Sequence, residues 1–291
     1  MNLGKRTRLH RLLFAHGPGN GACLVLPVDQ GLEHGPRDFA SNPAAADPRY
    51  QLQIARDGGF SAIALQVGLA ERYMGDFAGV VPLILKLNGK TDIPPDDEPL
   101  SPLLASVETA CALGADAVGY TMYIGSPRQD EDFRQFAQVR EEAEALGMPA
   151  IIWAYPRGEA IEAKGGRDCQ YAVEYGARIA AEVGADLVKV NFPVPLSSRD
   201  ADSPAPYKTL TLTPAEQIAR VVAAAAGVPV LVSGGPKHTE QELLEKAQLS
   251  MAAGATGLIF GRNIWQRPLA EALALAEKLK GIMRKAERKG P

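Results

Sequence analysis

The stretch Gly184-Ala185-Asp186-Leu187-Val188-Lys189-Val190 has the form of a joint: a glycine ends a helical pattern, and a short apolar run follows within three residues. Such a glycine takes the left-handed conformation that closes a helix, and the run has the length of a strand covered on both faces. The joint recurs at Gly58-Gly59-Phe60-Ser61-Ala62-Ile63-Ala64-Leu65, at Gly79-Val80-Val81-Pro82-Leu83-Ile84-Leu85 and at Gly114-Ala115-Asp116-Ala117-Val118-Gly119-Tyr120. It returns at Gly147-Met148-Pro149-Ala150-Ile151-Ile152-Trp153, Gly227-Val228-Pro229-Val230-Leu231-Val232 and Gly254-Ala255-Thr256-Gly257-Leu258-Ile259-Phe260. The opening run Gly21-Ala22-Cys23-Leu24-Val25-Leu26 makes eight candidate strands. Helical patterns fill residues 50–57, 107–113, 131–146, 172–183, 214–226 and 240–253.

Eight alternating units predict an α/β protein, a single (β/α)8 TIM barrel over residues 1–291 with a short N-terminal helical arm. The alternative is an open doubly wound sheet, but no Gly-x-Gly-x-x-Gly follows a predicted strand; the first one ends in Pro27-Val28-Asp29-Gln30-Gly31. Two long connections, residues 93–102 and 194–214, are rich in Pro, Asp and Ser. Both follow the C-terminal end of a strand, the face on which barrel enzymes carry their sites.

Composition narrows the function classes. The 291 residues are 46% hydrophobic and 22% charged, the balance of an ordinary globular chain. A net charge of −3 supplies no basic field for nucleic acid, and no run approaches the ~18 apolar residues of a membrane span. Leu12-Leu13-Phe14, behind the basic Lys5-Arg6-Thr7-Arg8, is too short for a signal-peptide core. Cys23, Cys111 and Cys169 match no metal or redox spacing, as expected of reduced thiols in a cytoplasmic protein.

Polar residues at the tips of barrel strands are candidates for chemistry, because lower positions are filled by packed aliphatics. The predicted tips carry Asp29, Gln66, Lys86 with Asn88, Tyr120 with Tyr123, Trp153 with Tyr155 and Arg157, Lys189 with Asn191, Ser233, and Gly261 with Arg262. Lys189 stands out, since an ammonium inside Leu187-Val188-Lys189-Val190 must shed its proton or be paired. To act as a nucleophile its pKa has to fall from about 10.4 to near 7, and an apolar wall with a second cation such as Lys86 would do this. The alternative is a structural lysine paired with a carboxylate inside the barrel. Asp29 and Tyr155 offer a carboxylate and a phenol for proton transfer. Trp153, Tyr155 and Arg157 alternate, so they share a face.

Val232-Ser233-Gly234-Gly235-Pro236-Lys237 and Gly261-Arg262 follow the predicted seventh and eighth strands, where barrel enzymes frequently hold a phosphate. Their glycines let backbone N–H groups approach an anion, and Arg262 adds charge-assisted hydrogen bonds. His10, His16, His34 and His238 are scattered and form no His-x-x-x-His pair, so no metal site is expected.

Taken in order, Leu26-Pro27-Val28-Asp29-Gln30-Gly31-Leu32-Glu33-His34-Gly35-Pro36, Leu83-Ile84-Leu85-Lys86-Leu87-Asn88-Gly89-Lys90-Thr91 and Trp153-Ala154-Tyr155-Pro156-Arg157-Gly158 are similar to one known family. With the segments at residues 114–121, 232–237 and 261–267, the chain resembles the archaeal-type class I fructose-bisphosphate aldolases, which also occur in bacteria. The resemblance implies Lys189 as Schiff-base lysine, Tyr155 as proton donor and Asp29 as the carboxylate handling the hydroxyl proton. It implies Ser233, Gly234, Gly235, Gly261 and Arg262 for the C1 phosphate and Arg157 nearer the other phosphate. Trp153, Lys86 and Gln30, which stands where some archaeal members have histidine, complete the substrate-binding set.

No cofactor and no metal is expected; the partner is a sugar phosphate, and relatives assemble into homo-oligomers, to which the basic segment 278–289 would contribute. Related members use the same lysine for thiolase or transaldolase-type reactions on other phosphorylated ketoses, and a non-catalytic regulator keeping the sugar-phosphate pocket is the alternative of another class.

Overall fold

The computed structural model describes residues 2–235 and 237–286. Strands β1 (Cys23–Pro27), β2 (Ala62–Gln66), β3 (Leu83–Lys86), β4 (Ala117–Ile124), β5 (Ala150–Pro156), β6 (Leu187–Asn191), β7 (Val230–Ser233) and β8 (Gly257–Ile259) lie in chain order in a closed, all-parallel barrel. β8 returns to β1 in the register Cys23 to Gly257, which closes the sheet and excludes the open alternative.

The helices run α1 (Leu3–His10), α2 (Gln30–His34), α3 (Pro48–Asp57), α4 (Val67–Tyr73), α5 (Val107–Ala112), α6 (Gln129–Ala145) and α7 (Glu159–Glu162). They continue with α8 (Gln170–Glu182), α9 (Pro214–Ala224), α10 (Glu240–Ala252), α11 (Arg262–Trp265) and α12 (Leu269–Lys285). Gly184 (φ 95°) and Gly254 (φ 90°) hold the left-handed backbone expected where α8 and α10 end. The joint at Gly79 differs: a 3-10 turn (Gly75–Phe77) precedes it instead of an α-helix. Thr213 with Glu216 and Thr239 with Glu242 form capping boxes that start α9 and α10 just beyond the barrel mouth.

The pleat sorts the strand residues into two cores. Val188 and Val190 point outward into the layer between barrel and helices, whereas Leu187 shares the barrel interior with Val25, Ala64, Ile84, Ile151, Trp153, Leu231 and Ile259. Lys189 and Asn191 therefore follow Leu187 up the inner wall toward the mouth. The opposite end is plugged by the arm: Leu12, fully buried, joins the interior cluster with Leu9 and Leu13. Lys5 ties the arm down through Asp186 (2.9 Å) and Glu144 (2.8 Å).

Period-two alternation also corrects the reading of Tyr120. β4 continues to Ile124, and Tyr120 shares the outward face with Val118 and Met122. Its hydroxyl bonds Asp132, and it accepts a 2.7 Å bond from Gln135 Nε2, both on α6. Tyr120 is thus a packing residue away from the mouth.

Candidate active site

Trp153, Lys189 and Leu231 stand side by side on β5, β6 and β7. Lys189 is 5% exposed. Its ammonium loses hydration there, so its pKa is drawn down to about 7; the charges of Asp29 and Glu33 oppose the shift, and those of Lys86 and Arg157 assist it. Its Nζ donates to the Tyr155 hydroxyl and lies 4.1 Å from that ring's centroid. Burial, with the nearby charges of Glu33 and Asp29, holds the Tyr155 phenol well above its ordinary range. The pair consists of an amine ready to be neutral and a hydroxyl certain to be protonated.

Lys86 reaches the same centre from β3. Its Nζ donates to Thr121 Oγ1 (2.5 Å) and to the Asn88 carbonyl (3.2 Å), and burial lowers its pKa. The Trp153 ring lies 5.3 Å from Lys86 Nζ and 6.0 Å from Lys189 Nζ, so the indole is flanked by the two amines. Room for it comes from Gly119: a Cβ there would lie 2.6 Å from Trp153 Cζ3. Asp29, 7% exposed, follows the end of β1 and precedes α2.

A cavity of about 700 Å³ opens above this floor, lined by Tyr155, Lys189, Arg157, Gln30, Ser233, Gly234, Gly235, Gly261 and Arg262 among others. The structure therefore brings the expected anion loops into one space with the lysine. Gly234 and Gly261 have no room for a side chain, since a Cβ would meet Asn263 Nδ2 at 2.9 Å and the Pro27 carbonyl at 2.8 Å respectively. The two loops are tied together by a 2.8 Å bond from the His238 N–H to Asn263 Oδ1. Asp29 and Lys86 line a smaller adjoining crevice, with Glu33 on the wall of both spaces. Trp153, 1% exposed, lies in the floor, its indole N–H buried without a hydrogen-bond partner among the described residues.

The profile of the DeoC/LacD family aldolases matches residues 23–267. The chain belongs to this aldolase family. It is 42% identical to the class 1 fructose-bisphosphate aldolase of Thermoproteus tenax over 270 residues, 92% of this chain and 93% of the other. A solved archaeal fructose-1,6-bisphosphate aldolase, its catalytic lysine bound to the carbinolamine intermediate of the substrate, superposes with a TM-score of 0.80 at 38% identity, over 95% of this chain and 100% of that one. The fructose-bisphosphate aldolase of Slackia heliotrinireducens gives a TM-score of 0.84 at 30% identity, covering 97% and 87%.

Three residues of this aldolase escaped sequence reasoning. Glu33 sits inside the Leu26 to Pro36 motif but has no strand-tip position to mark it. Asp168 accepts a 2.7 Å bond from Asn191 Nδ2, and Asp96 approaches both Lys90 and Arg157. The last two lie on loops, where no periodicity flags a side chain. Among the described residues no three His, Cys, Asp or Glu side chains gather as a metal would require, and no helix is long and apolar enough to cross a membrane.

Proposed function

We propose that this protein is a class I fructose-1,6-bisphosphate aldolase, cleaving its substrate reversibly to dihydroxyacetone phosphate and glyceraldehyde 3-phosphate through a Schiff base on Lys189. The observation that carries the reading is the buried Lys189 amine, in contact with the Tyr155 hydroxyl, opening into the cavity that Gly234, Gly235, Gly261 and Arg262 also line. With its pKa at about 7, about half of Lys189 is free amine at neutral pH, against well under ~0.1% for an ordinary lysine.

The neutral Nζ attacks the C2 carbonyl, and loss of water from the carbinolamine, assisted by Tyr155, leaves an iminium. Asp29 takes the C4 hydroxyl proton; the C3–C4 bonding pair flows toward the iminium nitrogen, giving an enamine and releasing the aldehyde. The proton taken by Asp29 passes through Tyr155 to C3 of the enamine, and hydrolysis of the resulting iminium frees the lysine and releases the proton that restores the Tyr155 phenol. Ser233, Gly234, Gly235, Gly261 and Arg262 hold the C1 phosphate, and Arg157 faces the far one. Gln30 and Lys86 line the flanks, and Trp153 forms the floor beneath the reacting carbons. The chemistry calls for no cofactor.

The proposal includes a place in cytoplasmic sugar-phosphate metabolism, glycolytic or gluconeogenic, on the family resemblance. Homo-oligomeric assembly is included on the family resemblance. The basic C-terminal segment lends it little: Lys278 pairs with Glu240, Lys280 and Arg284 pair with Glu277, and residues 287–289 lie outside the described residues.

Borohydride reduction in the presence of dihydroxyacetone phosphate tests the reading. A three-carbon adduct is expected on Lys189, absent from Lys189→Met; the same adduct on another residue would overturn it.

A further inference from the structure

The connection from β3 to α5 lies over the mouth and is seated at several points. The Asp92 N–H donates to the Glu33 carbonyl (2.9 Å), the Ser126 hydroxyl donates to the Pro99 carbonyl (2.7 Å), and Leu103 bridges Asn88. Between these anchors one carboxylate reaches two cations with separate oxygens: Asp96 Oδ1 lies 2.7 Å from Lys90 Nζ, and Asp96 Oδ2 lies 3.7 Å from Arg157 Nε. The cationic side chains are only 14% and 13% exposed, whereas Asp96 is 43% exposed. Arg157 lines the cavity of Lys189, its guanidinium carbon 5.0 Å from the Tyr155 ring centroid, and Lys90 lines the adjoining crevice. Two largely buried cations aimed at one point make an anion site, and a loop carboxylate now fills it.

We propose that Asp96 is a built-in competitor for the far phosphate of the substrate: its carboxylate spans Lys90 and Arg157 as two phosphoryl oxygens would, and must leave when a bisphosphate binds. The inference rests on the sugar-bisphosphate reading and adds Lys90 as a second cation of the far-phosphate site. A phosphoryl dianion outcompetes a monoanionic carboxylate on two cations, so the bisphosphate still binds, but less tightly than the bare cations would hold it. The same competition helps expel the phosphorylated aldehyde after cleavage. A ligand with a neutral far end leaves Asp96 where it is.

Inert ligands separate this inference from the catalytic one. Hexane-1,6-diol bisphosphate and hexyl monophosphate contain no carbonyl, and their binding can be measured by calorimetry on the intact protein. Asp96→Asn should bind the bisphosphate about three- to tenfold tighter, the range expected when partly exposed ion pairs no longer compete, and the monophosphate as the unaltered protein does. Asp97→Asn, on the same loop but with its carboxylate accepting from the Glu98 N–H at 3.1 Å, should change neither. Equal gains in Asp96→Asn and Asp97→Asn would point to the loop's overall charge and overturn the proposal. So would bisphosphate binding that is unchanged or weaker in Asp96→Asn, which would make Asp96 an organiser of the two cations. None of these results depends on the Lys189 adduct, so the two readings fail separately.

Discussion

Ser233 Oγ donates a 2.7 Å hydrogen bond to Oδ1 of Asn191, its register partner across β6 and β7. Asn191 in turn donates to Asp168 Oδ1, so one amide fixes the hydroxyl at the edge of the anion loop. With its proton directed at Asn191, Ser233 presents only lone pairs elsewhere, so in the proposed binding mode the loop's backbone N–H groups are the donors to the phosphate.

Asn191→Ala removes both bonds and lets the Ser233 hydroxyl rotate. One to two hydrogen bonds are worth about 1–2 kcal/mol, so KM for the bisphosphate should rise roughly five- to thirtyfold with kcat little changed. Steady-state kinetics check this; a fall in kcat at constant KM would show that Asn191 acts on Lys189 instead.

The pH dependence follows from the Lys189 amine. Deprotonation makes the nucleophile, so the single-turnover rate of imine formation should rise with pH through about 7 and then level. Asp29 favours the ammonium and Lys86 disfavours it. Asp29→Asn should therefore move the inflection to lower pH and Lys86→Met to higher pH, measured by rapid-mixing borohydride trapping.

The same shift acts on stability. Lys189 titrates near 7 when folded and near 10.5 when unfolded, so the unfolded state binds more protons between these values and stability rises with pH across that window. Lys189→Met should abolish activity yet stabilise the fold at pH 7, by up to about 4 kcal/mol, an advantage that shrinks toward pH 10. Denaturant titrations at pH 7 and pH 9.5 read the difference; a variant less stable at both would refute it.

Gly119→Ala places a methyl 2.6 and 2.7 Å from two Trp153 ring carbons and 3.1 Å from Lys86 Cδ. Overpacking of this kind costs about 1–3 kcal/mol. A lowered melting temperature is expected together with reduced kcat, because the indole that moves is flanked by both lysines.

Much of this molecule is written locally. Glycines that close helices, apolar runs that need cover on both faces, and the rhythm of eight such units predict the barrel, and an ammonium in an aliphatic strand marks Lys189. The paired glycine loops after β7 and β8 are legible for the same reason, since backbone freedom and anion contact are properties of a few consecutive residues. Tyr120 shows the boundary: its type suits a site, but the exact phase of the strand turns it toward α6, while Gly119 one residue earlier makes room for Trp153.

Which charges meet is a matter of closure alone. Asp96 and Lys90 share a loop, yet Arg157 joins them from just beyond the end of β5; Asp168 reaches Asn191 from another connection, and Leu12 seals the barrel from the far end of the chain. Electrostatic coupling and burial depend on distance in space, and only the closed sheet converts residues remote in sequence into neighbours that tune one amine.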